Sequence, residues 1–201
     1  NLEELIMRNK LTFVLPIFLC VGAMIAPTGF AAEQTAVTAS ELFNPSGEVP
    51  GIPMSGEFVY PGTVKCPGHE PTGNQLQPCP VTSRTHLRNA EIISEVYSMD
   101  ARATGLMTVV LNANWNTDFE GPVWGTFSFA VAGGGTWVGT WQGLRKRVDE
   151  NEWTGTLNVI GKGYGGIVDG MKLMVEDRIT SFTPAPIAYF GVIEGRIVDP
   201  N

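Results

Sequence analysis

The sequence predicts an all-β protein in which an antiparallel meander of about eight strands closes into a small barrel. Three observations support this fold class. Residues alternate between two faces along most of the second half of the chain, as they do on strands. Glycine and tryptophan share one face between Gly133 and Gly170. The connecting turns are too short for crossover helices, and closure removes exposed edges. A two-sheet sandwich is the alternative.

The first 32 residues have the pattern of a cleavable export signal, with Asn1–Ile6 as upstream sequence. Arg8 and Lys10 precede the apolar stretch Leu11–Ile25, and Gly29–Ala32 supplies the small residues of a cleavage site. We expect a secreted or periplasmic protein. A membrane anchor is the alternative, but prolines interrupt the apolar stretch, which is shorter than the roughly 20 residues that a spanning helix needs.

Two cysteines, Cys66 and Cys79, remain after the predicted cleavage. In an oxidising compartment, a pair separated by a Pro- and Gly-rich loop predicts a disulfide. Two free thiols are the alternative. Adding His69 would give only three ligands for zinc, whereas a structural zinc site needs four, so we expect no metal and no cofactor.

The chain has a formal net charge of −7 and lacks the basic patch of a nucleic-acid-binding protein. The basic residues Arg145, Lys146 and Arg147 are followed at once by acidic residues, which favours a solvated end of a hairpin. We therefore expect no nucleic-acid partner and, after cleavage, no stable membrane span.

Residues 33–53 contain many prolines and glycines and predict a flexible segment, with a helical turn at Ala39–Phe43 as one option. The barrel domain is expected over residues 54–201. Its predicted strands are Met54–Tyr60, Val81–Met99, Leu106–Trp115, Val123–Ala132, Thr136–Arg147, Trp153–Gly163, Lys172–Phe182 and Ile187–Val198. The second of these is long for a strand and is expected to bend near Asn89 and Ala90.

In the central hairpin, Trp137 and Trp141 are expected to lie near Gly161 and Gly163 on the partner strand. The missing side chains would leave room for the indole rings. Each glycine costs roughly 0.5 to 1 kcal/mol relative to alanine in a regular element, and tight curvature is the expected compensation.

Two motifs in this region resemble known families. Gly135-Thr136-Trp137 and Gly139-Thr140-Trp141 are similar to the G-x-W strands of calycin barrels, the lipocalins and avidins. The stretch Gly161–Gly170 resembles the G-x-G-x-[YF]-x-G stretch of allene oxide cyclase-like and dirigent-like barrels. The resemblance spans residues 124–182 and implies a small barrel. The chain departs from the lipocalin pattern, in which the G-x-W lies near the start of the mature chain, whereas here it is past the middle. No residue set matches the ligand-binding polar residues of avidins, so no family site carries over. The overall pattern is similar to exported bacterial proteins of unknown function.

Two functions follow from a barrel of this size, which is either filled by side chains or holds one small ligand. The first is binding of a small, largely apolar ligand. Its candidate lining residues are Trp124, Trp137, Trp141, Tyr164 and Glu176. The second is a cofactor-free isomerase or cyclase of the allene oxide cyclase-like type, with an ionisable group supplied by Glu176, Asp169, Arg178 or His86.

No catalytic residue is assigned, and whether the protein is an enzyme stays open. An open cavity with a buried carboxylate or imidazole would favour the isomerase, and a dry aromatic pocket would favour binding. A filled barrel would leave a structural or interaction role. Apolar residues on both faces of the last strand indicate that part of the outside is covered, by a partner subunit in a homo-oligomer or by the N-terminal segment.

Overall fold

The computed structural model describes residues 32–43, 57–60, 63–66, 84–182 and 188–200. The predicted export signal and most of the predicted disulfide loop lie outside these residues. Within them the chain forms β-strands and two short 3₁₀ helices, with no α-helix. The all-β prediction is therefore confirmed.

The strands of the described residues are numbered in chain order. They are β1 (Glu33–Phe43), β2 (Glu57–Tyr60), β3 (Thr63–Lys65), β4 (Thr85–Ser98), β5 (Gly105–Trp115), β6 (Gly121–Val131), β7 (Thr136–Asp149), β8 (Glu152–Tyr164), β9 (Lys172–Phe182) and β10 (Ala188–Asp199). The 3₁₀ helices are Ala101–Ala103, between β4 and β5, and Gly166–Val168, between β8 and β9.

The sheet is an antiparallel meander whose pairing returns to its starting point. Strands β4 to β10 pair in consecutive order, and β1 pairs with β10 along its whole length. The end of β1, Ala39–Leu42, also pairs with Glu95–Ser98 of β4. Strands β1 and β4–β10 thus form a ring-like sheet, and the short strands β2 and β3 occupy the rest of the free edge of β4.

The expectation of a flexible segment over residues 33–53 is wrong for Glu33–Phe43, which form β1. The helical turn at Ala39–Phe43 is wrong for the same reason. The inward residues Val37, Ala39 and Glu41 are small or charged, so the segment lacks the apolar alternation of an ordinary core strand. Pairing with β10 and β4 overrides this weak local preference. The sheet domain therefore includes residues before Met54.

The predicted bend in β4 is confirmed. The register against β5 shifts between Leu87 and Ala90, and Asn89 has a φ of 54°. The Asn89 amide donates a hydrogen bond to Asn112 Oδ1 at 3.1 Å, which replaces the ladder bond lost at the bulge.

The inward face of the ring carries the hydrophobic core, in which Trp137, Leu87 and Ile197 are fully buried. At one end, Trp137 Nε1 donates to the carbonyl of Arg102 at 2.8 Å, in the first 3₁₀ helix. At the other, Trp153 Nε1 donates to the carbonyl of Asp118 at 2.7 Å, in the β5–β6 turn. At each end of the ring, a tryptophan hydrogen bond thus joins a strand to a connecting segment.

The register places Trp137 opposite Gly163, as predicted, but Trp141 opposite Val159 and Gly139 opposite Gly161. The expectation that the glycines make room for the indole rings is wrong at Gly161. The ring that uses the space over Gly139 and Gly161 is Phe127 of β6. A Cβ on Gly139 would lie 2.7 Å from Phe127 Cε1, and one on Gly161 would lie 2.9 Å from Phe127 Cζ. Adjacent glycines on β7 and β8 therefore let a side chain from β6 lie flat across the wall.

In the part of the chain that the structure describes, no helix has the length and hydropathy required to cross a lipid bilayer.

Candidate functional site: an interior cavity with two polar ends

A cavity of about 90 Å³ lies inside the ring. Its lining is mostly apolar and comes from all eight strands of the ring, β1 and β4–β10. Phe127, Trp141 and Leu157 are among its large side chains. A smaller cavity of about 40 Å³ lies towards the Trp137 end and shares Met107, Phe127, Val159 and Asp177 with the larger one. The described interior is thus partly open, with these shared side chains between two chambers.

Two carboxyl groups, Glu41 of β1 and Asp177 of β9, meet on the wall of the larger cavity. Both are buried, and the interaction between them shifts the pKa of each. Glu41 Oε1 also accepts hydrogen bonds from Ser94 Oγ and from Tyr189 Oη, the latter at 2.8 Å. Four polar side chains from four strands therefore form one buried group, which we call the acid cluster (Glu41, Ser94, Asp177, Tyr189).

The acid cluster holds a proton that isolated carboxyl groups would lose. Burial raises the pKa of Asp177 well above its usual value, and the neighbouring Glu41 raises it further. Burial also raises the pKa of Glu41, although hydrogen bonds from Ser94, Asp177 and Tyr189 oppose this. Two carboxyls in contact cannot both be ionised at low cost, so the pair favours a state in which it keeps one proton.

Gly191 makes the contact between the two carboxyls possible. It lies between them in the sheet, paired with Glu41 across β1–β10 and with Ile179, two residues from Asp177, across β10–β9. A Cβ at Gly191 would lie 2.4 Å from Asp177 Oδ1. The missing side chain therefore leaves the space that the Asp177 carboxyl uses to reach Glu41.

A second polar part of the cavity lining is Arg145 of β7, which contacts Trp153 at the end of the ring that holds the β5–β6 turn. Its Cζ lies 4.8 Å from the ring centre of Trp115 and 4.7 Å from that of Trp153. Such cation–π contacts stabilise a desolvated cation by up to about 2 kcal/mol each. Burial nevertheless lowers the pKa of Arg145 to about 10. Since that value is far above neutral pH, the guanidinium is charged inside the protein.

The predicted lining residues divide between the two faces of the sheet. Trp141 lines the larger cavity and Trp137 the smaller, in agreement with the prediction that they face inward. Trp124, Tyr164 and Glu176 line neither cavity, so their expected interior position needs correction. Trp124 packs outside against Arg88, with 5.1 Å from Cζ to the ring. Tyr164 is 53% exposed, and Glu176 pairs with Arg178 at 4.0 Å on the outer face.

The other ionisable candidates also lie away from the cavity lining. Arg178 forms an exposed ion pair with Glu194. Asp169 Oδ1 accepts a hydrogen bond from the Gly165 amide at 2.8 Å and so shapes the turn after β8. His86 is half-buried on β4 at the register position of Lys65 and Asn114. None of the three is brought together with the acid cluster.

The predicted lining residues do not include three charged residues of the described interior, Glu41, Asp177 and Arg145. The two-residue period already contains a signal for two of them. Asp177 has the same parity as Leu173, Val175 and Ile179, and Arg145 has that of Trp137 and Trp141. The expectation that Arg145 belongs to a solvated hairpin end is wrong, since it is only 4% exposed. It holds for Lys146 and Arg147, which are exposed. Glu41 could not be found, because its strand was not predicted.

Cys66 is buried directly after β3. Cys79 lies outside the described residues, so the disulfide between them stays a prediction. Among the described residues, no group of three or more His, Cys, Asp and Glu side chains is arranged to hold a metal ion.

Compared with protein-family models, with curated proteins and with solved structures, the chain has no match. The cavity itself is therefore the observation that bears on function. Its geometry offers an apolar chamber that can desolvate a small molecule, a protonated acid pair on one wall and a cation at the other end.

Proposed function

We propose that the protein binds a small, largely apolar molecule inside the ring of strands. The observation that carries this proposal is the cavity of about 90 Å³ among apolar side chains, with Phe127 and Trp141 in its walls. Ligand sites in proteins are concave and mostly apolar, with a few polar groups that fix orientation. A dry cavity of roughly 150 Å³ is known to hold benzene, so this one suits a somewhat smaller molecule unless side chains move.

Two further features support a preformed site. The acid cluster is fixed by hydrogen bonds from Ser94 and Tyr189, and Arg145 is fixed between two indoles. Polar groups whose positions are set before binding cost little additional ordering when a ligand arrives. The cavity therefore combines a poorly specific apolar chamber with two fixed polar ends that can select an orientation.

The binding proposal is tested by filling the cavity. We expect Ala90→Leu, which adds a side chain at a buried lining position, to weaken binding of small apolar ligands at least about tenfold by steric exclusion. Ala130→Leu is the matched control, because Ala130 is exposed on the outer face of β6. Affinity is followed by titration calorimetry and by the fluorescence of Trp141. Equal binding by both variants, each shown to be folded by circular dichroism, would contradict the proposal.

The acid cluster favours a second candidate, a cofactor-free isomerase. The Glu41 carboxylate would remove a proton from a carbon atom of the substrate, and Asp177 would deliver its own proton to another atom. Transfer of the proton from Glu41 to Asp177 would restore the starting state. If this chemistry occurs, a ligand recovered from the binding experiment in deuterated water will contain deuterium. A ligand recovered unlabelled indicates binding alone.

The finer assignments of fold and location belong to the same proposal. We infer that the ring-like sheet is a closed barrel of the calycin-like or allene oxide cyclase-like kind, supported by the pairing of β1 with both β10 and β4. The export pattern of the first 32 residues and the cysteine pair support a secreted or periplasmic protein with a Cys66–Cys79 disulfide.

A further inference from the structure

Arg145 is a buried cation whose hydrogen-bonding capacity is incompletely used. Its Nε and Nη2 atoms are buried and have no hydrogen-bond partner among the residues that the structure describes. Leaving buried donors of a charged group unpaired is costly, and buried charges in proteins are normally paired with an opposite charge. The two indoles at 4.8 and 4.7 Å contact the guanidinium but accept no conventional hydrogen bond. An acceptor is therefore missing at this position.

No carboxylate of the described residues supplies that acceptor. The ion pairs of the described arginines involve Arg102, Arg147 and Arg178. Glu41 lies on β1, four strands away from β7 in either direction around the ring, and hence on the opposite wall. Asp177 lies closer, on β9, two strands from β7, but its Oδ1 makes no hydrogen bond to Arg145. Consistently, burial is the cause of the lowered Arg145 pKa, with no acidic neighbour raising it.

Two more unpaired polar atoms lie near Arg145. The ring of Trp115 contacts the guanidinium, and its Nε1 is buried without a hydrogen-bond partner among the described residues. The Oγ1 of Thr85 is also buried without such a partner. Thr85 is directly opposite Trp115 across β4–β5. Guanidinium and indole N–H groups are donors only, and a hydroxyl can also donate. This end of the interior thus concentrates hydrogen-bond donors around a positive charge.

We propose that the Arg145 end of the cavity binds the carboxylate of a small, otherwise apolar organic acid. The inference rests on the binding function proposed above and names its ligand class. The Nε and Nη2 atoms form one edge of the guanidinium, and a planar carboxylate accepts two parallel hydrogen bonds from such an edge. The indoles of Trp115 on β5 and Trp153 on β8 hold the guanidinium from two strands and so fix that edge.

The cavity also limits the size and charge of the acid. By proportion to the roughly 150 Å³ that hold the six carbons of benzene, a chamber of about 90 Å³ holds about four non-hydrogen atoms. A single charge matches the single guanidinium, whereas a dianion would bring a second charge into an apolar chamber. A three-carbon monocarboxylate, which is smaller than benzene, is therefore the first probe.

The experiment compares propanoate with propanamide and 1-propanol, which have the same chain without the charge, by titration calorimetry of the full chain at pH 7. We expect wild-type protein to bind propanoate at least about tenfold more tightly than either neutral compound, since hydrogen bonds to a charged group are the stronger kind. Arg145→Met should remove this preference and leave weak binding of all three. The matched control Arg147→Met, on the same strand but exposed, should keep it.

The outcomes separate the two proposals. Equal affinity of the wild type for acid, amide and alcohol would overturn the carboxylate proposal and leave the binding function standing, as would an unchanged preference in Arg145→Met. Failure of the wild type to bind any of the three would count against both. If Arg145→Met does not fold, Arg145→Lys replaces it. Lysine keeps the charge without the two-donor edge, and we expect it to weaken propanoate binding. Unchanged propanoate affinity in a folded Arg145→Lys would overturn the two-point contact.

Discussion

At the scale of single residues, the interior is defined by charges in an apolar environment. Asp177 and Glu41 share a proton because burial and mutual repulsion both disfavour two ionised carboxyls. Arg145 keeps its charge because its pKa, although lowered to about 10, stays above neutral pH. Glu41 is four strands from the cation around the ring and Asp177 two, and neither forms an ion pair with Arg145 among the described residues. A ligand that completes one or both ends would gain stability from this arrangement.

The acid cluster predicts how stability depends on pH. The folded protein keeps a proton on the cluster that the unfolded chain loses above pH ~4, so the free energy of unfolding should fall as the pH rises through the raised pKa values. One proton gives a slope of at most about 1.4 kcal/mol per pH unit. Asp177→Asn, which removes the titrating group, should flatten this slope. Urea unfolding between pH 5 and pH 8 measures it.

The control for this experiment is Glu176→Gln, which changes the neighbouring carboxyl on the outer face of the same strand. It should leave the slope as in the wild type. A slope that is equally steep in Asp177→Asn would contradict the assignment of the shared proton.

Sequence reasoning reached part of this residue-level account. The alternation placed Trp137 and Trp141 inside, because large aromatic residues on a regular strand leave a clear pattern. The same alternation gave Trp124 the parity of Thr126 and Ser128, and Tyr164 that of Lys162, which is the outer face of each strand. Their aromatic character alone suggested the interior. Arg145 and Asp177 occupy positions that the alternation places inside. They were not predicted to lie there, because charged residues are usually exposed.

At the scale of strands, the ring has one weak seam. Strands β1 and β4 share only the four residue pairs from Ala39↔Ser98 to Leu42↔Glu95, whereas β7 and β8 are paired from Thr136↔Tyr164 to Asp149↔Glu152. The Ser98 hydroxyl adds one bond to the Thr38 carbonyl at 2.6 Å. Glu41, a member of the acid cluster, lies within this seam.

We expect the seam to open before the rest of the sheet. Local opening takes the least free energy where few pairs must break, so backbone amides of Ala39–Leu42 should exchange with solvent faster than those of Trp137–Trp141. The difference should increase as the pH rises, because loss of the shared proton leaves two buried negative charges beside the seam. Native-state hydrogen exchange followed by NMR measures both effects. Uniform protection of β1 and β7 at all pH values would contradict this expectation.

The seam also shows why β1 could not be predicted. A strand whose inward residues include a glutamate has no apolar signature, and its conformation is fixed by two partners that are distant in sequence. The β5–β10 meander was predictable for the opposite reason, since each strand there pairs with its neighbour in the chain and carries its own alternation. Local information sufficed for the meander and failed at the closure.

At the scale of the whole molecule, the ring-like sheet encloses an interior that its side chains do not completely fill. Glycines at Gly139, Gly161 and Gly191 allow side chains to lie across the wall, and the interior still retains cavities of about 90 and 40 Å³. A two-sheet sandwich would bring its inner faces together and leave no such chamber. The proposed ligand, its carboxylate anchor and the alternative isomerase chemistry all require the chamber.

The most direct measurement is a crystal structure of the full chain under xenon pressure, because xenon occupies dry apolar cavities in proteins. We predict anomalous density for xenon inside the ring, among Phe127, Trp141 and Leu157, and its loss in crystals of Ala90→Leu. Wild-type crystals in which these side chains fill the interior and no xenon binds there would contradict the account.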